Sequence, residues 1–274
     1  MSWDDRQRAM LAEMGLRLPA RAAQAEAPDA IEAAEADVMV AERPPASPPT
    51  SAPVLAPVPA AGVARAPVVT APAAPPRVLA SVPASFAGLD LPALREAVAA
   101  CRACGLCEQR RNAVFGSGAL QQAQWLVVTD PPDEGDDASG EALGGEAGRL
   151  LDRMLQAAGQ QRGGEAPTAF VTPLVKCRPP RGRAPQPGEL DACEAVLAHQ
   201  IELLQPRLVL AMGLQAARRL TGLAEPVGRL RGRVHAFGDL PLVVTYHPAY
   251  LLRSPADKAG AWDDLCLARR TSKT

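Results

Sequence analysis

Four short apolar runs alternate, along residues 86–274, with segments whose leucines and alanines recur at helical spacing. Ala123–Thr129, Ala169–Thr172, Leu208–Met212 and Leu242–Thr245 are rich in Val, Leu and Ala, are bounded by polar or turn residues and are too short for helices, which predicts buried strands. Leu94–Ala100, Gly148–Ala158, Leu190–Leu204, Leu214–Leu220 and Lys258–Arg269 repeat apolar residues every three or four positions and predict helices, with Pro206 ending the third and Gly213 preceding the fourth. Strands separated by helices imply a three-layer α/β/α fold around a central, mostly parallel four-stranded sheet. In such sheets ligands bind beyond the carboxyl ends of the strands.

Ahead of this region the pattern changes. Residues 2–14 form an amphipathic helix on paper: Ser2 caps it, Trp3, Met10, Leu11 and Met14 share one face, and Gly15 and Pro19 stop it. Such a helix either packs back on its own domain or docks on a partner. Residues 20–43 are rich in Ala and acidic side chains, and residues 44–83 hold 12 prolines and 11 alanines with Arg65 and Arg77 as their only charges. A stretch of that composition buries too little apolar surface to offset its ordering entropy and behaves as a semi-rigid spacer. The expected organisation is a partner-docking helix over 1–19, a disordered linker over 20–85 and a folded domain over 86–274.

Composition narrows the function classes. The net charge of −1 gives no whole-chain electrostatic case for non-specific nucleic-acid binding, so any basic surface must be local. Lys176–Arg183, with Arg229, Arg231 and Arg233, is either such a patch or a solvated face. Nothing approaches the ~20 apolar residues of a membrane helix, and the amino terminus carries no signal-like run, which predicts a cytoplasmic protein without membrane contact.

In a reducing compartment six cysteines point to ligands or buried thiols. Cys101-x-x-Cys104, Cys177 after the second strand and Cys193 on the following helix would supply four thiolates, a set that suits zinc or an iron–sulfur cubane equally by spacing. Cys107 is an alternative ligand by position, and Cys266 reads as packing.

These cysteines belong to a longer pattern: Cys101-x-x-Cys104-x-Leu106-Cys107-x-x-Arg110, Val175-Lys176-Cys177-Arg178-Pro179-Pro180, Glu189-x-x-x-Cys193, Met212-Gly213-x-x-Ala216, Arg231-Gly232 and Thr245-Tyr246-His247-Pro248-x-Tyr250-Leu251-Leu252-Arg253. Taken in order, it resembles the family 4 (iron–sulfur) uracil-DNA glycosylases. The resemblance implies a [4Fe–4S] cluster on Cys101, Cys104, Cys177 and Cys193, and a last motif in which His247 stabilises the departing base while His247 and Arg253 contact DNA. Against the family's pattern, Thr129-Asp130-Pro131-Pro132-Asp133 replaces a glycine-bearing motif, Leu143 stands where an aromatic stacks on uracil, and Pro173 stands where an asparagine reads its edge. Base stacking of this kind is worth roughly 1–3 kcal/mol, and proline offers neither an amide side chain nor an N–H.

Shorter matches link the two chain ends to another family. Arg6–Leu16, Leu126–Pro132, Val171–Pro173 and Pro255–Cys266 are similar to segments of psi subunits of the bacterial DNA polymerase III clamp loader, small α/β proteins with a glycosylase-like fold and no glycosylase chemistry. Combined with the altered pocket, this resemblance implies a non-catalytic replisome adaptor, with clamp-loader subunits on the Trp3/Met10/Leu11/Met14 helix and a chi-like subunit on the globular domain. The alternative is a divergent family 4 glycosylase in which Asp130, as general base, and His247 do the chemistry.

Overall fold

The computed structural model describes Phe86 and residues 88–273; the expected docking helix with Trp3, Met10, Leu11 and Met14, and the linker, lie outside the described residues. The elements are α1 (Leu91–Ala99), β1 (Ser117–Gly118), β2 (Trp125–Thr129), α2 (Glu134–Ser139), α3 (Gly145–Ala157), β3 (Ala169–Pro173), α4 (Pro187–Leu204), β4 (Leu208–Met212), α5 (Leu214–Thr221), α6 (Val227–Leu230), β5 (Val234–Phe237), β6 (Leu240–Thr245), α7 (Pro248–Arg253) and α8 (Lys258–Thr271). The strands form one sheet in the order β1-β3-β2-β4-β6-β5. The four predicted strands are its parallel centre, and β1 and β5 add antiparallel edges.

Side-chain alternation builds the three layers. On β2, Leu126 and Val128 enter one apolar cluster with α1, α4 and α5, whereas Trp125 and Val127 enter the other with α3 and α8. Val209 and Ala211 against Leu208, Leu210 and Met212 repeat the division on β4. A strand covered on both faces reads as a continuous apolar run, which is why these strands stand out in the sequence.

The edge strands do not. Glycine at 118 (φ +137) lets β1 approach β3 so closely that a Cβ there would lie 2.1 Å from the Ala169 carbonyl oxygen. Strand β5 is mostly exposed and turns into β6 through Gly238-Asp239, the two residues between the Phe237–Leu240 pair.

The chain leaves β2 for β3 on one side and β4 for β6 on the other, so the strand order reverses between β2 and β4. The crevice beyond their carboxyl ends is the place where open α/β sheets hold ligands. Among the described residues no helix is long and apolar enough to cross a membrane.

Candidate functional site at the carboxyl edge of the sheet

Register places Thr129, Pro173, Met212 and Thr245 side by side at the ends of the parallel strands. The residues that follow them, Asp130, Leu174, Gly213 and the Tyr246-His247 pair, therefore border one crevice. Both candidate chemical groups are brought together there.

Asp130 turns its carboxylate onto the first turn of α5. Its Oδ1 accepts from the Gln215 and Ala216 amides at 2.8 and 3.0 Å, and its Oδ2 from the Leu214 amide at 3.1 Å. Gly213 (φ +109) makes room for this, since a Cβ there would lie 2.3 Å from Oδ2. Burial raises the Asp130 pKa, opposed by the Ala216 amide and by the charge of His247.

His247 caps α7, its Nδ1 accepting from the Ala249 amide at 3.2 Å. Burial pushes its pKa below the usual histidine value, with Asp130 pulling the other way. The ring is neutral near pH 7, and because Nδ1 accepts, its proton sits on Nε2. His247 thus presents a neutral N–H donor beside a carboxylate anchored by backbone amides.

The wall of the crevice comes from α2 and the turn after it. Asp133 caps α2, its Oδ1 accepting from the Asp136 amide at 2.9 Å, and Asp136 Oδ1 accepts from the Gly144 amide at 2.9 Å. Arg162 donates to the Ala142 and Leu143 carbonyls at 2.6 and 3.1 Å. Leu143 is held in a left-handed conformation (φ 52) and is buried. Pro173, the other altered pocket position, gives its carbonyl to the Lys176 ammonium at 2.8 Å. Neither Asp136 nor Arg162 was singled out from sequence: one lies in a six-residue acidic helix without apolar periodicity, the other in a glycine-flanked loop.

Arg253 ends α7 in an exposed position, next to Leu252 at 40% exposure and near Tyr250, which stacks on Tyr246 at 5.1 Å. In the basic run Arg181 and Arg229 are exposed, and the other side chains are buried or tied to neighbours. Lys176 is buried, Arg178 pairs with Glu134, Arg183 with Glu189, Arg231 with the buried Asp264 and Arg233 with Glu225.

On the far side of Pro173, Cys101, Cys104, Cys107, Cys177 and Cys193 line a small recess between α1, the turn Gly105–Glu108 and α4. Charge on Cys104 acts on both Cys177 and Cys193, and Cys101, Cys107 and Cys177 all act on Arg110. Three sulfurs receive N–H donors: Cys101 from the Ala103 amide at 3.5 Å, Cys177 from Arg110 at 3.2 Å and Cys193 from the Lys176 amide at 3.4 Å. Burial lifts the Cys193 thiol to about 11 and lowers Lys176 to about 7. Among the described residues no three His, Cys, Asp or Glu side chains are gathered so as to hold a single metal ion. Five thiols on one recess, three of them with N–H donors to their sulfurs, form a donor set that fits a metal–sulfur centre.

The profile of the uracil DNA glycosylase superfamily matches residues 115–266. The chain is similar to the type-4 uracil-DNA glycosylase of Pyrobaculum aerophilum, 36% identical over 187 residues covering 65% of this chain and 93% of that protein. It is similar to that of Saccharolobus solfataricus, 34% identical over 175 residues (61% and 78%), and to that of Thermotoga maritima, 34% over 165 residues (60% and 83%).

These likenesses overturn the expectation of a non-catalytic, psi-like adaptor and favour a repair glycosylase. Of the short segments behind that expectation, Arg6–Leu16 lies outside the described residues and the other three contain core elements. Leu126–Pro132 and Val171–Pro173 are ends of central strands, and Pro255–Cys266 runs into α8, whose Ala261, Asp264 and Leu265 are buried under the sheet. Their apolar pattern is what any sheet of this build requires, so it identifies no partner.

Proposed function

The chain belongs to the uracil-DNA glycosylase superfamily, and on that premise we propose that it is a DNA glycosylase of base-excision repair that removes a deaminated base. The meeting of Asp130 and His247 at the crevice, each close enough to shift the other's titration, carries the reading.

An excised nucleotide must leave the stack, at a cost of a few kcal/mol. As the bond between the base and C1′ of the sugar breaks, its electron pair leaves with the base. The Nε2–H of neutral His247 donates to the base oxygen on which that charge gathers. Asp130 orients a water, whose oxygen bonds to C1′ while its proton passes to the carboxylate. The raised Asp130 pKa suits that transfer, and the amides of α5 fix the carboxylate's position. With Leu143 and Pro173 at the stacking and edge-reading positions, the base is held by the shape of the crevice and by His247.

Cys101, Cys104, Cys177 and Cys193 would hold a [4Fe–4S] cluster, which when bound cross-links their segments through iron–thiolate bonds. Arg110 and the amides of Ala103 and Lys176 stabilise the thiolates.

The reading is tested on single- and double-stranded oligonucleotides carrying uracil or hypoxanthine. Strand cleavage after alkali is expected, with Asp130→Asn and His247→Ala each lowering the rate by roughly 10²–10⁴-fold. Intact strands with every deaminated base would sink it.

A further inference from the structure

The segment after the cysteine turn touches both the recess and the crevice wall. Arg110 spans the recess, one guanidinium nitrogen donating to Cys177 Sγ at 3.2 Å and the other to the Ala99 carbonyl, two residues before Cys101, at 2.5 Å. The next two residues reach the opposite way. The Arg111 amide donates to the buried Asp137 at 3.0 Å, and the Asn112 side-chain amide donates to the Asp137 and Ala138 carbonyls at 3.0 and 2.9 Å. Arg178, the neighbour of Cys177, pairs with Glu134 at the start of the same helix. Both ends of α2, an element of six residues with no apolar side chain beyond Ala138, are thus secured from the cysteine side. Helix α2 in turn holds the crevice wall, because Asp136 accepts the Gly144 amide next to Leu143.

We propose that Arg110–Asn112 is a positioning strap that makes the shape of the base-holding wall depend on an intact cysteine centre. Arg110 is its positioning residue: it binds the Cys177 sulfur and touches no base. The inference rests on the reading of the cysteines as a cluster site and assigns that cluster a task in the crevice. A segment as short and polar as α2 has little stability of its own. Its order comes from tertiary ties, and the strap provides several of them.

The test uses the full chain purified without oxygen. Iron content and visible absorbance report the cluster, and amide hydrogen exchange over residues 134–144 reports the wall. Two variants cut opposite ends of the strap, Arg110→Met at the sulfur and Asn112→Ala at α2. Each is expected to speed exchange over 134–144 on the order of tenfold while exchange in β2 and β4 is unchanged. Asn112→Ala is expected to do so with full iron, and removal of iron from the parent chain to have the same effect. Unchanged exchange in both variants overturns the strap while leaving the cluster intact. If Arg110→Met does not fold, exchange over 134–144 in the parent chain before and after removal of iron decides, and equal exchange overturns the strap. Parent protein that is folded but already without iron when purified in the absence of oxygen overturns the cluster reading and the strap with it, and iron content tells that failure apart from the first.

Discussion

Replacing Gly213 by alanine places a methyl group where the structure has room for none. The added Cβ would meet Asp130 Oδ2 at 2.3 Å, and the backbone there (φ +109) is one that side chains with a Cβ rarely adopt. Backbone strain in such a region costs about 1–3 kcal/mol. Relief of the clash requires the carboxylate to swing off α5. Losing two of its three amide bonds, with net values of about 1 kcal/mol each and more for a charged acceptor, adds about 2–3 kcal/mol. The total is about 3–6 kcal/mol, and at about 2–4 °C per kcal/mol for a domain of this size the melting temperature falls by about 6–24 °C. A double-mutant cycle with Asp130→Ala, followed by circular dichroism of the iron-loaded protein, isolates the contact. With the carboxylate gone only backbone strain is left, so the Gly213→Ala loss shrinks by about 2 kcal/mol. Strictly additive losses, or a Gly213→Ala protein that melts like the parent, would refute the account of Asp130 as a carboxylate fixed by α5.

Other perturbations reach different parts of the molecule. His247 acts in its neutral form and burial depresses its pKa, so its ring, followed by NMR across a pH titration, protonates only below the usual histidine value near 6.5; a midpoint at or above that value contradicts the neutral donor. Arg231→Met strands the fully buried Asp264 carboxylate, which Arg231 contacts at 2.9 Å, and is expected to cost about 3–5 kcal/mol in denaturant unfolding, whereas the double change to Arg231→Met/Asp264→Leu recovers much of it. Leu143→Phe with Pro173→Asn restores a stacking face and an edge-reading amide. Uracil excision should rise by about 10–100-fold, matching the roughly 1–3 kcal/mol of base stacking. An unchanged rate would mean that the base sits elsewhere.

The central sheet could be read from the sequence because both of its faces are covered, leaving apolar runs such as Trp125–Val128 without a polar alternation to blur them. Strand β5 escaped because His235 and the exposed Val234 break that signal, and β1 because two residues carry no pattern. Helix α2 escaped for a different reason: its buried residues are Asp136 and Asp137, held by the amides of Gly144 in the following turn and of Arg111, and hydrophobic periodicity is blind to such ties. The cysteines were visible as spacing, whereas their convergence on one recess, Cys107 included, depends on the packing of α1, the Gly105–Glu108 turn and α4. Asp130 was singled out for its chemistry, and its bond to α5 depends on a close approach of chain segments more than 80 residues apart. The psi-like resemblance misled because α8 and the strand ends carry generic core patterns.

The most direct test is mass-spectrometric detection of the free base, together with its abasic strand, after incubation of iron-replete protein with an oligonucleotide bearing one deaminated base. Equal amounts of released base and abasic strand, abolished by His247→Ala, are the predicted result. An unaltered oligonucleotide after prolonged incubation with folded, iron-replete protein would contradict the proposed activity.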